Sequence, residues 1–266
     1  DNKLYTCNGK GWDFGEPASI QIYDLDNNEW TTFENKSIEE KYGKKYKDIM
    51  TVDVDPMDSK HLFAGNQMGL FEFYDGELTQ RWYDKNSPIY SHYNVSPGNE
   101  NYQVITSIKY DNECNLWIIS SNSTLLKLSK DRSWIIPGNA IEAEKADYMK
   151  FMGFDSKGYL WMYNNVYGTA AAYRYDTKNE TITEYSNFTN EDGISYSTNQ
   201  GCRTLAEDKE GNIWMGLSVG LFVLTPEYQN DPTKGVYQIK VPRNDGTNLA
   251  DYLLSDVDIN TIAVDD

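Results

Sequence analysis

The stretch DKEGNIWMGLSVGLFVL, residues 208–224, opens a polar turn with an acidic residue, places a tryptophan six positions later, and follows that apolar run with a second. The motif recurs as DNECNLW at 111–117 and DSKGYLW at 155–161, with a looser copy, DPMDSKHLF, at 55–63 that carries two extra residues. An alternating stretch precedes each of these aspartates: IMTVDV, ITSIKY, MKFMGF and CRTLAE. A strand-like run follows each aromatic residue, GLFEF, LLKL, AAYRY and GLFVL, and a fourth element follows that, TQRWY, SWII, TITEY and YQIKV.

Each unit therefore reads as four short β runs separated by turn chemistry. Four such strands form a meandering antiparallel sheet that cannot cover both of its own faces and must stack on neighbours, which predicts propeller blades. Composition agrees: aromatic residues make up 14% of the chain, with 21 Tyr and 7 Trp, and such residues favour strands. The 266 residues suit one large β domain with a substantial core.

The aspartates at 55, 111, 155 and 208, with Asp265 in NTIAVDD, serve as phase markers. Joined head to tail, the termini read D-D-D-N-K-L-Y, and Asp265 stands six positions before Tyr5. The expectation is an all-β propeller of five blades over residues 1–266, with blade phases near 1–55 together with 257–266, 48–83, 103–136, 147–185 and 200–241. Closure would pair Thr261 to Val264 as the innermost strand beside Lys3 to Asn8, removing an exposed sheet edge. The alternative is part of a longer, seven-bladed propeller, cut at the same phase at both ends.

Three residues before each marker stand Val52, Ile108, Met152, Leu205 and Ile262, all apolar and so expected between blades. The aromatic column, Tyr5, Phe63, Trp117, Trp161 and Trp214, is large enough to fill the gap between radiating sheets. Each marker aspartate reads as a turn-former that accepts backbone N–H bonds. The pattern, best seen in DKEGNIWMGLSVGLFVL, resembles the two-component-regulator propeller repeat of Bacteroidetes hybrid regulators. The segments CNGKGWDFGEPASIQIYD, EWTTF and VDVDPMDSKHLFAGNQMGLFEFYDGELTQRWYDKNSPI are similar to PorZ-like proteins of type IX secretion. The resemblance implies a periplasmic or cell-surface protein that acts by recognition, although the family's further blades and secretion or signalling modules have no counterpart in this sequence.

The charge balance is 24 basic against 41 acidic side chains, formally −17, which repels phosphate backbones and argues against nucleic-acid binding. The nearest basic run, Lys41, Lys44, Lys45 and Lys47, is flanked by Glu34, Glu39 and Glu40 and reads as a solvated loop or short helix. Cys7, Cys114 and Cys202 are far apart and read as small buried or half-buried thiols. With two histidines and no CxxC, no metal or cofactor is expected. No run approaches the length of a membrane-spanning helix, so no membrane insertion is expected. No signal peptide opens the chain at Asp1, and its start in mid-repeat is what a processed or trimmed protein would show.

In propellers the loops leaving the outer strand, and those joining the second and third strands, share one face. Those loops are long here, at 34–47, 84–103, 137–147, 186–200 and 242–257, and excess loop length is where binding resides. The 84–103 loop carries Tyr90, His92, Tyr93 and Tyr102, the loop after Trp161 carries Tyr163, Asn164, Asn165 and Tyr167, and a third carries Tyr196. Tyrosine rings beside amide and acidic groups suit a glycan or peptide, and a flat patch of them would suit an envelope protein partner. Arg203, Lys150 and Met50 share one inner-strand register, where Arg203 could hold an anion or pair with carboxylates. Dimerisation would come through a larger parent protein.

The competing class is a five-bladed glycoside hydrolase or lyase, which needs two facing carboxylates. Asp53 and Glu207 are the inner-strand candidates, but they lie two and one residues before their markers, so they should face opposite sides of their sheets. No GxSxG, HExxH or phosphate loop is present, and no catalytic residue is assigned.

Overall fold

The computed structural model describes residues 2–9, 16–35, 37–43, 46–89, 91, 102–120, 124–139, 149–164, 170–197 and 201–265, and it divides into two compact units, Asp1–Asp147 and Tyr148–Asp266. Both are built from antiparallel meanders, which among the described residues make five blades of β-propeller type.

In the first unit, blade A has β1 (Lys3–Cys7), β2 (Ile20–Asp24) and β3 (Glu29–Phe33). Blade B has β4 (Thr51–Val54), β5 (His61–Asn66), β6 (Gly69–Tyr74) and β7 (Glu77–Trp82). Blade C has β8 (Ile105–Tyr110), β9 (Leu116–Ser120), β10 (Thr124–Leu128) and β11 (Trp134–Ile135). Period-two alternation sends neighbours on β5 to opposite seams: Leu62 and Ala64 join Ile20, Ile49 and Phe71 toward blade A, while Phe63 joins Ile105, Ile108 and Leu116 toward blade C. Each buried side chain of this size contributes about 1.5–3 kcal/mol. The 34–47 loop contains a short helix, α1 (Ser37–Tyr42), pinned by the buried Ile38.

In the second unit, blade D has β12 (Phe151–Phe154), β13 (Tyr159–Tyr163), β14 (Ala172–Asp176) and β15 (Thr181–Tyr185), and blade E has β16 (Cys202–Glu207), β17 (Ile213–Leu217) and β18 (Gly220–Leu224). Their seam buries Trp161, Tyr185, Phe188, Met215 and Phe222. The expected fourth strand of blade E, YQIKV, splits in two. Tyr237 bridges Val223 through reciprocal backbone bonds of 2.9 Å, whereas β19 (Lys240–Pro242) pairs with β20 (Ala250–Tyr252) as a separate hairpin. A helix, α2 (Pro226–Asn230), intervenes, and its Gln229 donates to the carbonyls of Gly211 (2.8 Å) and Leu224 (2.9 Å). The GLF signature is explained at Gly69, whose φ of +116° leads into β6 and where a Cβ would stand 2.3 Å from the Trp82 carbonyl oxygen.

The marker aspartates do more than turn the chain. Asp111 Oδ1 accepts the N–H groups of Glu113 (2.9 Å) and Asn115 (2.8 Å), while its Oδ2 accepts the indole N–H of Trp117 at 2.9 Å. Asp155 repeats this with Lys157, Tyr159 and Trp161 (2.8 Å), and Asp208 with Glu210, Asn212 and Trp214 (2.7 Å). The six-residue spacing is thus the reach of one carboxylate to a ring on the next strand. Burial works to raise the Asp208 carboxyl, but hydrogen bonds from the Asn212 side chain, the Trp214 indole and backbone amides hold it below its ordinary value. In blade B, Phe63 pairs with Asp53 in the ladder as Trp117 pairs with Lys109, which confirms the two-residue insertion. Phenylalanine has no N–H to offer, and Asp55 is met instead by His61 Nδ1 at 3.1 Å.

The closing ladder expected between the two ends is not among the described pairings. Among the described residues, strand β1 pairs only with β2, and 257–265 form no strand. The amides of that terminal segment are engaged by blade E: Ile259 N–H donates to the Leu217 carbonyl (3.0 Å) and Ile262 N–H to Thr204 Oγ1 (3.1 Å). These contacts reproduce the B/C seam, where Ile108 N–H donates to Thr51 Oγ1 at 3.2 Å. A Cβ on Gly65 would meet Ile105 at 2.5 Å, just as one on Gly216 would meet Ile259 at 2.6 Å. Residues 259–265 therefore occupy the inner-strand place that follows blade E, with Asp265 at the marker position.

Replacing Asp155 with alanine strands the buried Trp161 indole and two turn amides, and should cost about 2–3 kcal/mol in urea unfolding. Asp155→Asn, which keeps an acceptor, should cost less. Equal losses for the two variants would count against the indole bond.

Candidate recognition site

Strand β7 delivers Arg81 to the base of the 84–103 loop, where the residue is only 5% exposed. Its Nε donates to the Met68 carbonyl at 2.9 Å, and its guanidinium lies between two rings, 4.4 Å from the Tyr83 centroid and 5.1 Å from that of Tyr42. Nη2 reaches Gln103 Oε1 at 3.4 Å. Gln103, fully buried, donates from Nε2 to Ser91 Oγ (3.0 Å), and Ser91 donates to Asp84 Oδ2 (3.1 Å). The relay joins residues from both ends of the loop.

Backbone bonds fix the same ends. Gln103 N–H donates to the Gln67 carbonyl (2.9 Å) and Gln103 bridges Met68 in parallel fashion, while Asn86 Nδ2 donates to the Arg81 carbonyl (2.8 Å) and Ser87 Oγ to that of Tyr83 (2.7 Å). Among the described residues no carboxylate lies in ion-pair range of Arg81; Asp84 Oδ2 stands 3.4 Å from Lys85 Nζ, and its buried Oδ1 has no hydrogen-bond partner there. Burial pulls Arg81 below its ordinary value against the opposing pull of Tyr83, Tyr42 and Asp84.

The sequence-derived candidates divide. Tyr90, His92, Tyr93, Asn165 and Tyr167 lie outside the described residues. Tyr102 stands at the end of the 84–103 loop, half-buried, and burial together with the Asp48 charge lifts its hydroxyl to about 12. Tyr163 ends β13 and stacks on Phe151 with centroids 5.3 Å apart, and burial likewise lifts its hydroxyl to about 12. The ring of Tyr196 meets Phe222 edge-on at 5.0 Å, packed against the D/E core. Asn164, which follows β13, is fully buried. Tyr163 and Tyr196 thus contribute much of their surface to packing.

Arg203 lies within the register shift between Cys202 and Thr204, whereas Met50 and Lys150 stand just before β4 and β12. Its Nη1 donates to Asn260 Oδ1 (3.1 Å), and its Nε lies 3.1 Å from Asp258 Oδ1. A neighbouring carboxylate already answers that charge. The carboxylates weighed for catalysis are also engaged, on opposite sides as their parity predicts. Asp53 Oδ2 accepts Tyr110 N–H (2.7 Å) on the following blade, and Glu207 accepts Ser156 N–H (2.6 Å) and Oγ (2.7 Å) on the preceding one. Cys7, Cys114 and Cys202 are free thiols, the last two buried. No group of side chains able to hold a metal occurs among the described residues, and no described helix is long and apolar enough to cross a membrane.

Sequence reasoning missed Arg81, Gln103, Ser91 and Asp84. Their one sequence signal is the arginine of TQRWY, placed where strand alternation turns it toward a seam. Arg81→Met should leave the Met68 carbonyl and the Gln103 amide without their donor, cost about 2 kcal/mol, and speed proteolytic cleavage within residues 84–103. Arg81→Lys, which lacks the planar fork, should not rescue it. Unchanged cleavage kinetics in both variants would detach Arg81 from the loop.

Comparison with solved structures gives the fold a context. The chain superposes on PorZ, described as an essential bacterial surface component of the type-IX secretion system of Porphyromonas gingivalis, with a TM-score of 0.77 and 21% identity, covering 99% of this chain and 36% of that one. The extracellular domain of the hybrid two-component system BT3049 from B. thetaiotaomicron matches with a TM-score of 0.51 and 16% identity over 77% of this chain and 24% of that one. A protein of unknown function from Bacteroides caccae matches at 0.52 and 12% identity over 92% of this chain and 81% of that one. No protein-family model matches the sequence, nor does any curated protein. The chain spans about a third of the PorZ length, and what it shares with these structures is the β-propeller fold.

Proposed function

We propose that this chain is a non-catalytic recognition propeller of the periplasm or cell surface, whose tyrosine-rich loops bind a glycan. The observation that carries this reading is the anchoring of the 84–103 loop. A buried arginine between two tyrosines, a buried glutamine and a serine–aspartate pair tie its described ends together, and Tyr90, His92, Tyr93 and Tyr102 fall between those ends in the sequence. Holding a binding loop at its base lowers the ordering cost of binding. Tyrosine supplies rings for the apolar faces of sugars, with a hydroxyl at the rim for theirs. The Tyr163–Tyr167 loop and Tyr196 extend the same chemistry in the second unit.

The likeness to a secretion-system surface component and to a regulator's extracellular domain supports a role outside the cytoplasm, in sensing or in docking an envelope partner. The engagement of Asp53 and Glu207 with opposite neighbours speaks against a paired-carboxylate hydrolase. Screening against a glycan array and a peptide library, followed by Tyr90→Ala, Tyr93→Ala and Tyr167→Ala, tests the reading. Each substitution in contact with the ligand should weaken binding by about tenfold or more. Binding to peptides alone would move the ligand class, unchanged affinity in all three variants would remove the site, and hydrolysis of an array member would restore the enzyme.

A further inference from the structure

On the marker-turn side of blade B lies a polar cluster that the recognition loops do not use. His61, the first residue of β5, stands between two carboxylates, with Nδ1 3.1 Å from Asp55 Oδ2 and Nε2 2.9 Å from Glu72 Oε1. The Glu72 side chain is 5% exposed and has three further donors: Arg132 Nη1 (2.6 Å) and Nη2 (2.7 Å), and the indole N–H of Trp82 (3.1 Å). Arg132 belongs to blade C, in the turn between β10 and β11, and is held there at φ +71°. The cluster therefore fastens blade B to blade C across their seam.

The other charged and titratable groups around His61 are accounted for. Asp53 on β4 is taken by Lys109 Nζ (3.2 Å) and Tyr110 N–H (2.7 Å). Tyr110 on β8 has its hydroxyl pushed well up by burial and by the charges of Asp55, Glu72 and Asp53. The Tyr74 ring on β6 lies 6.5 Å from the imidazole, and Lys130 and Cys114 share with His61 the walls of a cavity of about 50 Å³.

We propose that residues 55–61 form a proton-operated clasp, closed when His61 carries both ring protons and opened at Asp55 when it carries one. An imidazolium donates from both nitrogens and satisfies both carboxylates, whereas a neutral ring offers one N–H and one lone pair. Ionised carboxylates only accept, so in the neutral state one contact must become repulsive. Glu72 is buried and pinned by three other donors. Among the described residues, the Asp55 side chain is otherwise held by the Met57 N–H alone, at 2.9 Å. The remaining N–H therefore stays on Nε2 toward Glu72, the lone pair faces Asp55, and the turn bearing Met57, which is 78% exposed, moves away.

The direction of the pH dependence follows from the shifts. Hydrogen bonding to Glu72, against the opposing effect of burial, raises His61 above its ordinary 6.5. Its contribution is complete below 6.5 and is lost as pH rises through the raised value. Glu72 has burial working to raise it, but Arg132 and His61 hold it near 2, so its contribution is present above its ordinary 4.5 and lost only as pH falls toward 2. Between 4.5 and 6.5 both contributions are in place.

The test is an NMR titration of the two histidines, assigned with His92→Asn, alongside hydrogen-exchange protection of the Met57, Lys60 and His61 amides from pH 5 to about 9. The expected result is a His61 midpoint above 6.5 and a fall of about tenfold in protection of the turn amides across that midpoint, with the β9 amides unchanged. Asp55→Asn should make the turn's protection independent of pH while His61 still titrates, and His61→Asn should flatten the response of wild-type stability over the same range. A His61 midpoint at or below 6.5, or turn protection that ignores it, would overturn the clasp.

Discussion

The bond between a turn carboxylate and an indole N–H six residues later is the constraint on which blades C, D and E depend. A four-stranded meander has no intrinsic reason to hold its second strand in one register, because a slip of one residue exchanges its two faces. The carboxylate removes that freedom. One oxygen closes the turn on backbone amides and the other fixes the tryptophan, so turn geometry and strand register are set by the same side chain. With the ring position fixed, the neighbouring apolar residues fall on the seams in alternation, and Trp117 and Trp161 become nearly inaccessible to solvent.

Blade B shows what happens when the ring cannot donate. Phe63 fills the aromatic place without an N–H, and the polar task passes to His61, Glu72, Trp82 and Arg132. The substitution converts a contact within one blade into one that spans two. It also places a titratable imidazole where blades C, D and E use a neutral indole.

The fold was legible because its signals are local. The Asp-to-Trp spacing, the GLF turns of blades B and E and the alternating runs each lie within about 20 residues, and they locate the strands of blades B, C and D and the first three of blade E. The marker at Asp265 rests on phase alone; Ile259 and Ile262 meet blade E as Ile105 and Ile108 meet blade B, and the expected ladder with the N-terminal strand is not among the described pairings. The candidate site was less legible. Arg81, Gln103 and Ser91 meet through contacts that depend on how a long loop returns to its blade, and spacing carries no record of that. Arg203 was displaced by a bulge that no residue type announces, and Tyr196 was drawn into packing because Phe222 lay beneath it.

The free state of all three cysteines has a consequence for how this chain can be made. Nothing that holds the blades together is a covalent cross-link, so acquiring the native fold needs no oxidant and no isomerase. The thiol of Cys202, driven to about 12 by burial, is poorly disposed to mispair once folded. The same architecture is therefore open to a chain folding in reducing or in oxidising surroundings, and the choice of compartment rests on sorting, not on sulfur chemistry.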